Sequence, residues 1–267
     1  PPFDAWAWWQ AWHETWAAAA LPSRLPALRE RRVAALIDRA CRDSPFYRGR
    51  PQGPRLADFA PVGKDELMAH FDDWATDRRI TRAAAAEALA DPEGVADAWL
   101  GDYLLWTSSG TSGTPGWFVQ DARSLAAYDA IDALRLRGGS GFGGDLARWG
   151  VGQRFAFVGA TGGHFAGVAS LQRLRRIVPP PWRPEIRILS VQQPLRAVAD
   201  ALDAMQPSVL ISYPSCAAAL SQWQREGSLH LRLSEVWVGG EQVSAAQRRQ
   251  ISAGFDCRLR NSYAASD

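Results

Sequence analysis

Residues Thr107-Ser108-Ser109-Gly110-Thr111-Ser112-Gly113-Thr114-Pro115-Gly116 hold the densest run of chemically useful groups in the sequence, directly after the apolar run Leu104-Leu105-Trp106. Hydroxyl side chains donate to phosphate oxygens, and glycine lets successive backbone N–H groups converge on one anion. A phosphate chain suits that chemistry. The run is not the Walker pattern, which ends on Gly-Lys-Ser/Thr. A Ser/Thr/Gly turn or a flexible linker has a similar composition, so composition alone leaves both readings open.

Other reactive types are scattered. His164 follows Gly162-Gly163 after the run Phe155 to Val158, and a side chain at the carboxyl end of a strand faces the crevice where α/β proteins hold ligands. Ser215 and Cys216 are nucleophile types without a partner motif for a triad, and Ser215 is expected to cap the helix that follows. His13 sits among tryptophans, and His70 and His230 lack the neighbours of a metal-ligand set. Cys41, Cys216 and Cys257 are odd in number and widely spaced, which suits neither a disulfide framework nor a zinc cluster and fits a reducing cytoplasm. Arg173, Arg175 and Arg176 read as a solvated helix face. Lys64 is the only lysine; every other cation is arginine.

The elements that must position these groups change character along the chain. To about residue 95 the pattern is helical. Trp6, Trp9, Trp12 and Trp16 recur at helical spacing behind Asp4, a suitable cap, and their stripe is expected to cover the protein's own core. Residues 27 to 41 repeat the helical pattern until Asp43-Ser44-Pro45 ends it. A short helix is expected near Lys64 and an Ala-rich one over 82 to 90, closed by Asp91-Pro92. From about residue 100, short apolar runs alternate with helices: Tyr103 to Trp106, Phe155 to Val158, Ile186 to Val191, Val209 to Ile211 and Val236 to Val238. That alternation predicts an α/β architecture with mostly parallel pairing. The expected division is a helical segment over 1–95 and an α/β core over 96–267, with the glycine cluster 138 to 144 as a loop between helix and strand.

Taken together, several segments resemble the adenylate-forming superfamily and, within it, the phenylacetate-CoA ligase branch. Ser109 to Pro115 is similar to the family's phosphate-binding signature; Gly239-Gly240-Glu241 resembles the segment whose backbone borders adenine; Asn261-Ser262-Tyr263-Ala264-Ala265-Ser266-Asp267 resembles its Tyr-Gly-x-Thr-Glu element. Ser44-Pro45-Phe46-Tyr47 and the stretch from Pro61 to Leu67 look like the branch's N-terminal hallmarks. Gly162-Gly163-His164 and Ser212-Tyr213-Pro214-Ser215 resemble segments lining its acyl pocket. The resemblance implies the large N-terminal part of such an enzyme, with mixed, mostly parallel sheets flanked by helices. It implies nucleotide contacts from Ser108, Ser109, Gly110, Thr111, Ser112, Gly113, Thr114, Gly239, Gly240, Glu241, Asn261 and Tyr263. Tyr263 would stack on adenine, Thr111 and Ser266 would touch phosphate during catalysis, and Asp267 would hold Mg²⁺. Gly163, His164 and Tyr213 would border the acid.

The sequence departs from the pattern at Thr114, where a lysine is usual, at Ala264 for glycine, and at Asp267 for glutamate. The family's ribose-binding aspartate, hinge and C-terminal lid with its catalytic lysine would lie beyond Asp267, so the chain is expected to be incomplete and inactive as given. Lys64 does not take that lysine's place by motif position. The implied reaction is attack of a carboxylate, aromatic by the branch resemblance, on the α-phosphate of ATP, followed by displacement of AMP by the thiol of CoA or of a carrier protein's phosphopantetheine. A nucleotide-binding regulatory or scaffold protein that has lost the chemistry is the alternative. With 267 residues, 47% of them hydrophobic, and a formal net charge of +2, the chain can bury a large core, and no global field argues for nucleic acid or an anionic membrane surface. No apolar stretch reaches the length of a membrane span. The start, Pro1-Pro2-Phe3, lacks both Met and a signal-peptide layout, which points to a trimmed beginning.

Overall fold

The computed structural model describes residues 2–48, 53, 55–108, 113–136 and 153–262. The chain forms two compact units, Pro1–Gly139 and Ser140–Ser266. No described helix is long and apolar enough to cross a membrane.

The first unit opens with α1 (Ala5–Ala20), whose first turn is capped by Asp4 Oδ1 accepting from Trp6 N at 2.9 Å and Ala7 N at 3.0 Å. It continues through α2 (Leu25–Asp43), α3 (Pro45–Arg48), α4 (Lys64–Ala69), α5 (Phe71–Trp74) and α6 (Arg82–Ala90). Strands β1 (Tyr103–Thr107) and β2 (Trp117–Asp121) then pair as an antiparallel ribbon, and α7 (Ala122–Leu136) closes the unit. Met68, Phe71, Ile80, Ala85 and Leu105 form the core under this ribbon. The helix expected over 27 to 41 thus runs from Leu25 to Asp43, and the helices near Lys64 and over 82 to 90 lie where the pattern put them.

The tryptophan stripe does only half of what its spacing predicts: Trp12 and Trp16 are half-buried, and Trp12 packs beside the core. Ala7 and Ala11 of α1 are buried against Ala126 and Ala130 of α7, flanked by Trp8 and Trp12. Methyl groups at an i, i+4 spacing let the two backbones approach closely, which leaves no room for a wide ring on that line. Trp6 and Trp9 are instead 63% and 52% exposed, stacked on each other at 5.1 Å, with Trp9 also stacked on His13 at 5.4 Å.

The second unit is a parallel sheet in the order β4-β3-β5-β6-β7. Its elements alternate: β3 (Arg154–Gly159), α8 (Ala166–Ile177), β4 (Glu185–Ser190), α9 (Leu195–Met205), β5 (Val209–Ser212), α10 (Pro214–Arg225), β6 (Glu235–Gly239), α11 (Ala245–Phe255) and β7 (Arg258–Ser262). Inward positions alternate as strand geometry requires. Ala156, Val158, Leu210, Val236 and Val238 pack with Val198, Leu202, Leu220 and Ile251 of α9, α10 and α11 on one face. Phe155, Ile186 and Val209 meet Leu171 and Leu174 of α8 on the other. Arg173 departs from the expected solvated face: it is 4% exposed, because it lies one turn after the buried Ala169 on the inner side of α8. The five apolar runs all became strands. Strands β2 and β7 were not anticipated, and the glycine cluster 138 to 144 lies outside the described residues.

Candidate functional site

In the first unit, the hydroxyl-rich run is the connection of a β-hairpin. Thr107 pairs with Trp117, and one step further Ser108 N donates to Gly116 O at 2.9 Å while Gly116 N donates to Ser108 Oγ at 2.8 Å. Both groups of Gly116 are thereby used, and the neck of the loop is pinned. The backbone is closely approached there: a Cβ at Gly116 would lie 2.9 Å from Phe118 Cζ and 3.3 Å from Lys64 Cδ. The stem of the only lysine therefore lies against the neck of this loop. Sequence reasoning did not link Lys64 to it, because 52 residues separate them. Gly113 has φ +141°, a conformation that L side chains rarely adopt, and Gly113 and Thr114 are exposed. Ser109, Gly110, Thr111 and Ser112 lie outside the described residues.

In the second unit, chain topology creates a crevice. From β3 the chain leaves through α8 to β4 on one side; from β5 it leaves through α10 to β6 on the other, and β3 and β5 are neighbours. Connections that diverge from adjacent parallel strands open a gap at the strands' carboxyl ends, where open α/β sheets hold ligands. Gly163 and His164 lie in the connection after β3, with His164 only 4% exposed, and Tyr213 follows β5 directly. The two connections touch where Ala160 N donates to Tyr213 Oη at 3.3 Å.

The end of β6 joins this edge. Gly240 takes φ +78°, and a Cβ there would lie 2.7 Å from Tyr213 Cε1, so the phenol ring rests against bare backbone. Gly239 is also held close: a Cβ would sit 3.0 Å from the carbonyl oxygen of Ser262 on β7. Glu241 turns its carboxylate onto the first turn of α10, accepting from Ser215 N at 3.1 Å and Ser215 Oγ at 3.0 Å. Ser215 is thus not the helix cap expected of it. Tyr213 occupies the cap position without a side-chain bond, and Glu241 supplies the missing acceptor from across the sheet edge.

Neither nucleophile-type thiol of the second unit is activated. Burial is the main cause that raises the Cys216 pKa above its ordinary value, and the nearby Glu241 charge adds to it. Burial first, then Glu235 and Asp256, push Cys257 up to about 11. A buried thiol so shifted is inert. Among the described residues no cluster of His, Cys, Asp and Glu is arranged to hold a metal. Asn261 lies on β7 opposite Val238 and is exposed. Tyr263, Ser266 and Asp267 lie outside the described residues. Of the anticipated site residues, the structure brings together Tyr213, Gly240 and Glu241.

No family model and no curated protein matches the sequence. Solved structures do. A 2-hydroxyisobutyryl-CoA ligase in complex with 2-HIB-AMP and CoA in the thioesterification state matches over 90% of this chain and 49% of its own, at 20% identity and a TM-score of 0.56. The chain shares the fold of this ligase. The same ligase in the postadenylation state with 2-HIB-AMP matches over 88% and 47% at 19% identity and TM-score 0.55, and its open conformation with 2-HIB-AMP and CoA over 87% and 48% at 17% and 0.54. The chain spans about half the length of the ligase structures it matches, and the expected α/β class, with a mostly parallel sheet flanked by helices, is the one observed.

Proposed function

We propose that this chain is the nucleotide- and acid-binding part of an AMP-forming acid–thiol ligase. The observation that carries the reading is the carboxyl edge of the parallel sheet, where Tyr213, Gly240 and the buried His164 stand on the connections of β3, β5 and β6, in the fold of a ligase solved with an acyl-AMP and CoA. Gly240 offers bare backbone beside an aromatic ring, a surface suited to a flat base or acyl group. Gly163, His164 and Tyr213 would border the acid. In the first unit the hairpin of hydroxyls and glycines would take up the phosphates of ATP through Ser108, Ser109, Gly110, Thr111, Ser112, Gly113 and Thr114. Lys64, with its stem against Gly116, supplies cationic charge beside a loop that carries Thr114 in place of lysine.

Within this reading, Gly239, Gly240 and Asn261 border the nucleotide, Tyr263 stacks on its base, and Thr111 and Ser266 contact phosphate. Asp267 would hold Mg²⁺; a carboxylate suits that hard cation, which would offset charge on the departing pyrophosphate. The carboxylate substrate attacks the α-phosphate, its P–O bond to pyrophosphate breaks, and an acyl-adenylate results; a thiol, of CoA or of a carrier's phosphopantetheine, then displaces AMP. An aromatic acid of the phenylacetate type is the finer proposal, resting on the motif resemblance alone.

The test is carboxylate-dependent ATP–pyrophosphate exchange by the full natural protein over a panel of aromatic and short hydroxylated acids. Exchange with at least one acid is expected, and Lys64→Ala should lower kcat/KM for ATP by about 10-fold, the loss of one charge-assisted contact. No exchange with any acid, together with no AMP binding, would overturn the reading.

A further inference from the structure

We infer that Glu241 is a positioning residue: seated on the first turn of α10, it holds the Gly239-Gly240 turn, and with it the ring of Tyr213, at the mouth of the β3/β5 crevice. The inference rests on the ligase reading, since it concerns how that site is kept in shape.

Three observations combine. The bond from Glu241 to Ser215 ties the end of β6 to the start of α10 across 26 residues, using both carboxylate oxygens. Gly240, immediately before Glu241, is in the left-handed region and touches Tyr213 so closely that no side chain fits between them. Tyr213 in turn is fixed at its hydroxyl by Ala160 N, beyond the end of β3. Three strand ends are therefore linked in series, and the carboxylate is the one link made by a side chain that needs no contact with substrate itself.

The helix end explains why an acid stands at 241. The N-terminal turn of α10 has unpaired N–H groups and a partial positive charge, and its cap residue, Tyr213, offers no side-chain acceptor. A carboxylate arriving from β6 meets both needs. Both partners are solvent-exposed, so the bond adds little to the core; what it fixes is the direction of the turn. Sequence likeness places Glu241 among nucleotide contacts through its backbone; its carboxylate is bound to the first turn of α10.

The experiment compares Glu241→Ala, Glu241→Gln, Ser215→Ala and the double variant Glu241→Ala/Ser215→Ala in the full natural protein. ATP–pyrophosphate exchange, AMP binding, thermal unfolding and hydrogen exchange of peptides covering 213–217 and 239–243 are measured. Each alanine variant should raise KM for acid and nucleotide roughly 5-fold, the worth of one net hydrogen bond, with kcat and Tm near the parent's. The double variant should be no worse than the poorer single, Glu241→Gln should recover most of the loss, and faster hydrogen exchange should be confined to the two peptides. Unchanged KM in an active parent, additive losses, or exchange rising throughout residues 153–262 in step with a fall in Tm would each overturn the positioning role. A parent without exchange activity or AMP binding would instead sink the ligase reading, and this inference with it. Should Glu241→Ala fail to fold, Ser215→Ala and Glu241→Gln carry the test.

Discussion

Adding one methyl group at Gly240 tests how closely the carboxyl edge of the sheet is built. Gly240→Ala meets two costs: the left-handed φ of +78°, and a Cβ only 2.7 Å from Tyr213 Cε1 and 3.0 Å from Cδ1. An alanine in the left-handed region costs about 1–2 kcal/mol, of which roughly 0.4–1 kcal/mol is returned by the stiffer unfolded chain. The clash adds about 1–3 kcal/mol, as overpacking does elsewhere, because the ring is tethered at its far end by Ala160 N. Gly227 is the internal control: its φ is +71°, and nothing lies within 4 Å of an added Cβ. Gly227→Ala should therefore show the backbone cost alone, about 1 kcal/mol or less, and Gly240→Ala about 2 kcal/mol more. In a chain of this size that difference is about 4–8 °C in Tm, readable by calorimetry and by urea melts of the two variants side by side. Equal destabilisation by both substitutions would refute the close approach of Tyr213 and remove the physical basis of the site in the second unit.

Three further outcomes follow from packing and charge. Ala130→Leu should destabilise by about 1–3 kcal/mol because Ala130 is fully buried against α1, whereas Trp6→Ser, at a residue 63% exposed, should lie within about 0.5 kcal/mol of the parent in urea melts. Burial opposes ionisation of Glu235, yet bonds from Arg260 Nε at 2.6 Å, Arg260 at the second oxygen at 2.7 Å and Trp237 Nε1 at 2.6 Å hold its pKa below the ordinary value. A carboxylate depressed in the folded state contributes stability that is fully present above its unfolded pKa of about 4.3 and lost as pH falls through the folded value. Arg260→Ala should thus lower the urea midpoint near neutrality and flatten its decline between about pH 5 and pH 3; an unchanged profile would count against the pairing. With a pKa of about 11, Cys257 should react with iodoacetamide at pH 8 about 100-fold more slowly than a free thiol, followed by peptide mapping.

Much of the fold was legible because buried parallel strands need continuous apolar runs, and four of the five runs that stood out are such strands, the fifth being β1 of the antiparallel ribbon. Strand β7 did not: Arg258 and Arg260 are polar in sequence and reach Glu235 on the neighbouring strand, a pairing that no local pattern announces. Strand β2 had a signal in Trp117-Phe118-Val119, overshadowed by the loop before it. Trp6 and Trp9 misled because ring size says nothing about which helix face can approach a neighbour; the alanines between them decided it. Arg173 was misread for a similar reason, since charge type outweighed its place one turn after Ala169. At the site, motif order put Tyr213 and Gly240 at strand ends, where they are found, but the bond of Glu241 to Ser215 and the contact of Lys64 with the Gly116 neck join distant residues and leave no trace in spacing.

The hydroxyl-rich loop springs from two antiparallel strands, Thr107 opposite Trp117, and not from a strand that runs into a helix. Strand dipoles in such a ribbon oppose one another, so the two described strands add little axial field toward a polyanion, unlike a helix end. On the proposed reading, an anion held there by hydroxyls and backbone N–H groups would draw part of its charge balance from Lys64. If the loop does take up phosphate, its occupancy would fall with ionic strength as salt screens the contribution of Lys64.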